Sequence, residues 1–177
     1  ITLASELDPV SMAILKDLGI TCYYTRQYDK GIEKAKATLI MDPDFTSAHR
    51  LLSLCYERKG LYDLALEENQ KWGELTHNVV KTKLAEAHIL AASGKSEEAR
   101  AIMAELIARD EFRHNDNRSA GLVYVALGEN DRAFEWLDKS ALAHEEALCN
   151  LKVDPKMDPI RNDPRFAPLV ERIGLHS

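Results

Sequence analysis

A spacing of 34 residues recurs along most of this 177-residue chain, and it constrains the fold more than any other feature of the sequence. Gly60, Gly94 and Gly128 lie 34 positions apart, and an alanine follows five residues after each of them. A fixed period of this length is typical of a solenoid, in which each unit buries its apolar face only against its neighbours. The spacing therefore predicts a stack of similar units rather than one compact core.

Residues 46–79 show how one unit is expected to fold. Apolar side chains recur there at intervals of three or four residues, which predicts two amphipathic helices. Gly60 separates the helices, because glycine readily adopts the left-handed conformation that follows a helix C-terminus. Asp63 is expected to cap the start of the second helix with a side-chain oxygen. Each unit is therefore predicted to be a helix–turn–helix hairpin.

One position in every hairpin carries only glycine or alanine. Two antiparallel helices approach closely only where one of them presents a small side chain at the crossing. A bulky residue at this position is therefore expected to push the paired helices apart. The residues at this position are Gly31, Ala65, Ala99 and Ala133.

Together these residues resemble the tetratricopeptide repeat. The glycine and alanine positions carry the resemblance, as do the Tyr-Asp pairs at 28–29 and 62–63 and the Asp-Pro pair at 42–43. The resemblance implies an all-α, right-handed α–α superhelix that ends in a capping helix, with no catalytic role. Residues 1–11 would be the end of a preceding repeat. The repeats would occupy 12–45, 46–79, 80–113 and 114–147, followed by a cap at 148–177.

The segment after the fourth repeat is punctuated by Asp-Pro steps at Asp154, Asp158 and Asp163. The residue before a proline is pushed out of the helical region, so short turns and a final helix at 164–173 are expected. The segment from Gly128 to Leu175 is similar to the C-terminal repeat regions of large bacterial signalling proteins. In those proteins a winged-helix, serine/threonine kinase or adenylyl cyclase domain precedes the repeats. This similarity implies a regulatory module, cut here from a longer chain.

Composition narrows the range of functions. The net charge of −6 disfavours a nucleic-acid partner, since phosphate binding needs a concentrated basic face. No apolar run is long enough to span a membrane. The three cysteines lack a CxxC spacing, which favours buried, reduced thiols and a cytoplasmic location. The six histidines show no metal-ligand spacing and no phosphate-binding loop occurs, so we expect neither a cofactor nor an enzyme.

The resemblance also implies a binding site, because the first helices of tetratricopeptide repeats line a concave groove that holds peptides. The side chains at these positions are aromatic, aliphatic and basic, which suits an amphipathic peptide or helix. The partner would be a protein or peptide, including other domains of the same full-length chain. The predicted groove residues are Lys16, Ile20, Tyr23, Tyr24, Arg50, Leu51, Leu54, Glu57, Arg58, Lys81, Leu84, His88, Arg118 and Leu122.

Two other functions stay open at this level. One is a structural or oligomerisation element, in which two chains form a homodimer through the open N-terminal end of the stack. A small-molecule sensor is the other alternative, and it requires a preformed pocket that a sequence does not reveal.

Overall fold

The computed structural model describes residues 9–109 and 116–175, with side chains from residue 17 onward except that of residue 147. The predictions made for residues 1–8 and for 110–115 lie outside these described residues. The regular structure of the described part is helical and contains no strand. The chain divides into two compact units, one on either side of the junction between Asn78 and Val79. The all-α repeat fold predicted from the sequence is confirmed.

The first unit is built from two helix pairs. Tyr28 and Tyr62 each begin the second helix of a pair, and a turn of three residues separates each of them from the preceding helix. The two helices of each pair pack on each other, and the second helix of the first pair also packs on the next first helix. The helices are α1 (Pro9–Tyr24), α2 (Tyr28–Met41), α3 (Thr46–Arg58) and α4 (Tyr62–Thr76).

The second unit repeats this arrangement and adds a C-terminal segment. Its helix pairs are α5 with α6 and α7 with α8, and α5 also packs on α7. Helix α7 begins at Asn117. The helices are α5 (Val79–Ala92), α6 (Ser96–Ala108), α7 (Asn117–Ala126), α8 (Asn130–Leu142) and α9 (Phe166–Arg172).

The turns between paired helices share one geometry. The backbone at Gly60 is left-handed, with a φ of 74°. Its N–H donates to the carbonyl of Glu57 at 3.0 Å, and the N–H of Leu61 donates to the carbonyl of Tyr56 at 2.9 Å. This Schellman motif satisfies carbonyls at the helix end and favours glycine at its left-handed position. The equivalent left-handed residues of the other pairs are Arg26, Gly94 and Gly128.

The prediction that Asp63 caps the second helix is wrong. Helix α4 begins at Tyr62 with Leu61 as its N-cap residue, and no side chain makes a capping bond there. The Schellman turn brings the chain into the helix before Asp63 is reached, so Asp63 lies inside the first turn. Its carboxylate there interacts favourably with the helix dipole instead of with a backbone N–H. The first-turn acids in register with it are Asp29, Glu97 and Asp131.

The small residues lie where the paired helices meet. Ala65, Ala99 and Ala133 have no exposed surface, and Gly31 is buried. A Cβ added to Gly31 would lie only 2.9 Å from the sulfur of Cys55 on α3, so even alanine would force a shift there. At Gly31 the requirement for a small side chain is therefore steric, but it is set by the first helix of the next pair rather than by the paired helix α1.

We expect Ala99→Leu to lower the free energy of unfolding by about 1–3 kcal/mol, because the larger side chain overpacks the contact between α5 and α6. The matched control is Ala101→Leu, since Ala101 is exposed on the same helix and the two residue types have similar helix propensity. Urea denaturation followed by circular dichroism measures both changes. Equal stability of the two variants would contradict the steric role of Ala99.

The segment from residue 148 to 175, here called the cap, covers the last helix pair. Its 3₁₀ helix Pro155–Ile160 packs on α7, and α9 packs on α8. Met157 and Ile160 have no exposed surface, and Leu169 is also buried. Helix α9 is followed by Gly174 at a φ of 77°, where the predicted final helix was expected to end. The cap expected from the Asp-Pro steps is therefore present.

The three cysteines occupy contrasting environments. Cys22 and Cys55 are buried, whereas Cys149 is exposed. Burial, together with smaller contributions from the neighbouring Cys22 and Asp29, raises the pKa of the Cys55 thiol to about 12. Because the thiolate is the reactive form of cysteine, Cys55 is held in an inert state.

We expect one thiol per folded chain to react rapidly with an aromatic disulfide reagent such as DTNB, and all three to react after unfolding in urea. Absorbance of the released thiolate counts the reactive groups. The variant Cys149→Ser should abolish this rapid reaction and leave the slow reaction of the two buried thiols unchanged. Rapid labelling that persists in this variant would show that a buried cysteine is accessible.

Candidate functional site

A cavity of about 240 Å³ opens in the first unit, among helices α1 to α4. Three of its lining residues carry polar groups: Thr38, Ser47 and Arg50. The Thr38 hydroxyl donates to the backbone carbonyl of Lys34 at 2.9 Å, so it is already satisfied within its own helix. The wall is otherwise apolar, which suits it to an apolar group. The larger apolar side chains in this wall are those of Ile20, Phe45, Leu51, Leu54 and Trp72.

Arg50 supplies the positive charge of the cavity. Its guanidinium carbon lies 4.9 Å from the centre of the Trp72 ring, in a cation–π contact that joins α3 to α4. A guanidinium that stacks by its face on a ring still donates hydrogen bonds in its own plane. The cavity therefore combines an apolar floor with a planar cation that favours a carboxylate.

His49 holds the elements around the cavity together. Its Nδ1 lies 2.6 Å from a carboxylate oxygen of Glu68 on α4, and its Nε2 lies 2.9 Å from the carbonyl oxygen of Pro43. One imidazole thus connects α3 with α4 and with the loop that carries Phe45. Since the ring is buried, these contacts fix the positions of two cavity walls.

Four residues of the predicted groove meet at this cavity. Ile20 comes from α1, whereas Arg50, Leu51 and Leu54 come from α3. The spacing of the three residues from α3 places them on adjacent turns of one helix face, which is why the sequence pattern could group them. Whether they contact a partner remains a prediction.

The other groove residues predicted in the first unit do not line the cavity. Tyr23 and Glu57 are buried, with 1% and 4% of their surface exposed. Tyr23 makes an edge contact with the ring of Tyr24 at 5.3 Å between centroids, which holds both rings at the end of α1. Arg58 is half-buried, and the Lys16 side chain lies outside the described residues.

In the second unit most of the predicted groove residues are enclosed. Leu84, His88 and Leu122 are buried, whereas Lys81 and Arg118 are half-buried. The Nζ of Lys156 lies 3.2 Å from Nδ1 of His88, and Arg118 forms an ion pair with Asp154. Two of the positions that the sequence assigned to a partner therefore contact the cap of the same chain.

Most of the cavity lining was not predicted from the sequence. Ala35 and Thr38 belong to α2, Phe45 lies in the loop before α3, and Trp72 belongs to α4. These elements were not expected to contribute, because the family resemblance assigns the groove to the first helices alone. The large aromatic residue at position 72 was a signal that could have found this wall, because Trp72 contacts Arg50 across the helix pair.

The buried carboxylate of Glu145, which lies between α8 and the cap, binds the start of α7. Glu145 is 2% exposed and accepts hydrogen bonds from the backbone N–H groups of Asn117 and Arg118 and from the hydroxyl of Ser140. Burial works against the charged form, but these hydrogen bonds outweigh it and hold the pKa of Glu145 below its ordinary value. Glu145 thereby accepts the hydrogen bonds at the N-terminus of α7 that the side chain of Asp116, the N-cap residue, does not accept.

We expect Glu145→Gln to lower the free energy of unfolding at pH 7 by about 1–3 kcal/mol, because an amide cannot accept all of these hydrogen bonds. A carboxylate with a lowered pKa in the folded state contributes its full stability above the pKa of the unfolded state. That contribution disappears as the pH falls through the folded-state pKa. The difference between wild type and variant should therefore shrink in acid.

Urea denaturation at pH 7 and at a series of lower pH values measures this effect. The control is Glu146→Gln, since Glu146 is the exposed neighbour and should change stability little at any pH. A gap between wild type and Glu145→Gln that stays constant or widens in acid would contradict the role of the charge.

The second unit contains another cavity, of about 300 Å³, between the end of α8 and α9. Glu145, Cys149 and Arg172 are among its lining residues. Among the residues that the structure describes, no group of three or more metal-ligating side chains is brought together. No described helix combines the length and apolar character needed to cross a bilayer.

The paired helices, their shared turn and the 34-residue register define a helical repeat protein of the all-α class. Residues 16–74, which span most of the first unit and its cavity, match the family model of the tetratricopeptide repeat. That repeat is a non-catalytic fold that generally mediates contacts between proteins. No curated protein matches the chain.

Proposed function

We propose that this protein is an interaction module, and that its first unit binds a protein or peptide by taking an apolar side chain into the cavity. The observation that carries the proposal is the open apolar cavity with Arg50 over Trp72. It lies in the part of the chain that matches the tetratricopeptide repeat. Burial of a large apolar side chain contributes about 1.5–3 kcal/mol, which makes such a cavity an effective anchor.

The size of the cavity favours a side chain over a free small molecule. Its volume of about 240 Å³ is below the range of about 300–1,000 Å³ that is typical of small-molecule sites. An apolar side chain needs less space, and the rest of a peptide would lie across the open side. Peptide binding is therefore the function that the cavity supports best.

The biological setting is a second step of the proposal. The similarity of the segment from Gly128 to Leu175 to bacterial signalling proteins supports a regulatory module beside a winged-helix, kinase or cyclase domain. The unpaired thiols of the described residues support the cytoplasm. The gene sequence upstream of Ile1 tests this setting: one of these domains supports it, and any other arrangement overturns it.

We expect Ile20→Glu to weaken peptide binding, because a carboxylate placed in the apolar wall is poorly solvated. Selection of 12-residue peptides from a displayed random library should enrich sequences with one large apolar residue. Fluorescence polarisation then measures the affinity of each enriched peptide for wild type and variant. The expected loss is about tenfold or more.

The matched control is Leu18→Glu, which places the same charge two residues away on α1 at a position that is 47% exposed. Urea midpoints of both variants verify that they are folded. Failure to enrich any peptide, or equal binding of the enriched peptides to both variants, would overturn the proposal.

A further inference from the structure

The cap already acts as a peptide-like ligand of the second unit. The carboxylate of Asp154 pairs with Arg118, and the ammonium group of Lys156 lies 3.2 Å from the ring nitrogen of His88. Met157, the next residue along, has no exposed surface. The 3₁₀ helix that contains Lys156 and Met157 packs on α7. A short Asp-Pro-Lys-Met sequence thus occupies a surface formed by α5 and α7.

The cavity of the first unit lies at the equivalent positions of the repeat, two 34-residue periods earlier in the chain. A shift of 68 residues relates the four helices of the first unit to α5, α6, α7 and α8. At three positions the lining of the cavity can be compared with the second unit, whereas other lining residues have chemically different counterparts, such as Trp72 with Ser140. The pairs are Ile20 with His88, Arg50 with Arg118, and Leu54 with Leu122.

Two of these three positions carry the same residue in both units, and one is changed. Arginine occupies both position 50 and position 118, which favours a carboxylate on each surface. At the position equivalent to His88, which contacts the ammonium group of Lys156, the first unit carries Ile20. A buried ammonium group against an aliphatic side chain is unfavourable, so the ligand of the first unit should carry an apolar residue there.

We propose that the cavity of the first unit binds a separate partner through a segment of the type Asp-Pro-apolar-Met, in which the aspartate pairs with Arg50 and an apolar side chain enters the cavity against Ile20. The inference rests on the proposed function and names the chemistry of the partner. Proline keeps such a segment close to its bound conformation, which lowers the entropy lost on binding.

The test uses fluorescein-labelled peptides with the sequence of residues 151–161 and the 177-residue chain. The first peptide carries Lys156→Leu, the second is unchanged, and the third carries both Lys156→Leu and Asp154→Asn. Fluorescence polarisation should give saturable binding of the first peptide. The second should bind about tenfold more weakly, because its ammonium group meets Ile20. The third should bind up to about fivefold more weakly.

Two protein variants assign these differences to named residues. In Arg50→Met the first and third peptides should bind equally, because the partner of the aspartate is gone. In Ile20→His the preference for leucine over lysine should fall or reverse, since the position then matches His88. Leu18→Glu serves again as the exposed control on α1 and should preserve the order of affinities.

The outcomes separate this inference from the proposed function. Equal binding of the three peptides to the wild type overturns the inference. So does absence of binding, even where library peptides still bind in a manner sensitive to Ile20→Glu, a result that leaves the proposed function standing. Sedimentation that shows a dimer dissociated by the first peptide also overturns it, because the occupant would then be the cap of a second copy.

Discussion

The close contact between paired helices is the constraint on which the rest of this structure depends. Ala65, Ala99 and Ala133 are completely enclosed, and a methyl group at Gly31 would meet Cys55 of the next pair. Small side chains let neighbouring helices approach closely, and a Schellman turn joins the two helices of a pair. The remaining face of each first helix must then be covered by another element, by a ligand or by solvent. The binding properties of both units follow from how that face is covered.

The two units cover this face differently. In the second unit the cap supplies Asp154, Lys156 and Met157, and the polar members of this set are paired although they are buried. Buried charges of this kind contribute more to a unique arrangement than to net stability, since desolvation offsets most of their attraction. In the first unit Ile20 and Arg50, the counterparts of His88 and Arg118, line an open cavity.

The sequence predicted the local structure well. The glycine period placed Gly60, Gly94 and Gly128 at the turns, and small residues marked the helix contacts, because both depend on backbone geometry within a few residues. Asp63 was misplaced, since the exact start of a helix depends on the turn that precedes it.

Only part of the cavity lining was predicted from the sequence. Ile20, Arg50, Leu51 and Leu54 follow from one helix face, but Trp72 and Phe45 reach the cavity from other elements. Their approach is set by the packing of one pair on the next, which no periodic pattern encodes. The occupation of His88 and Arg118 by the cap was missed for the same reason, since the contact between His88 and Lys156 spans 68 residues.

The internal repetition also provides a physical argument about specificity. The two surfaces share an arginine and a leucine and differ at other wall positions, among them Ile20 and Trp72. Under the proposed ligand chemistry, position 20 contributes to selectivity, because isoleucine leaves an ammonium group without a hydrogen-bond partner. Arg50 would contribute to affinity for a carboxylate, since its ring contact with Trp72 fixes the plane in which it donates. A module of this kind would acquire a new partner through its wall residues while its helices and turns stay unchanged.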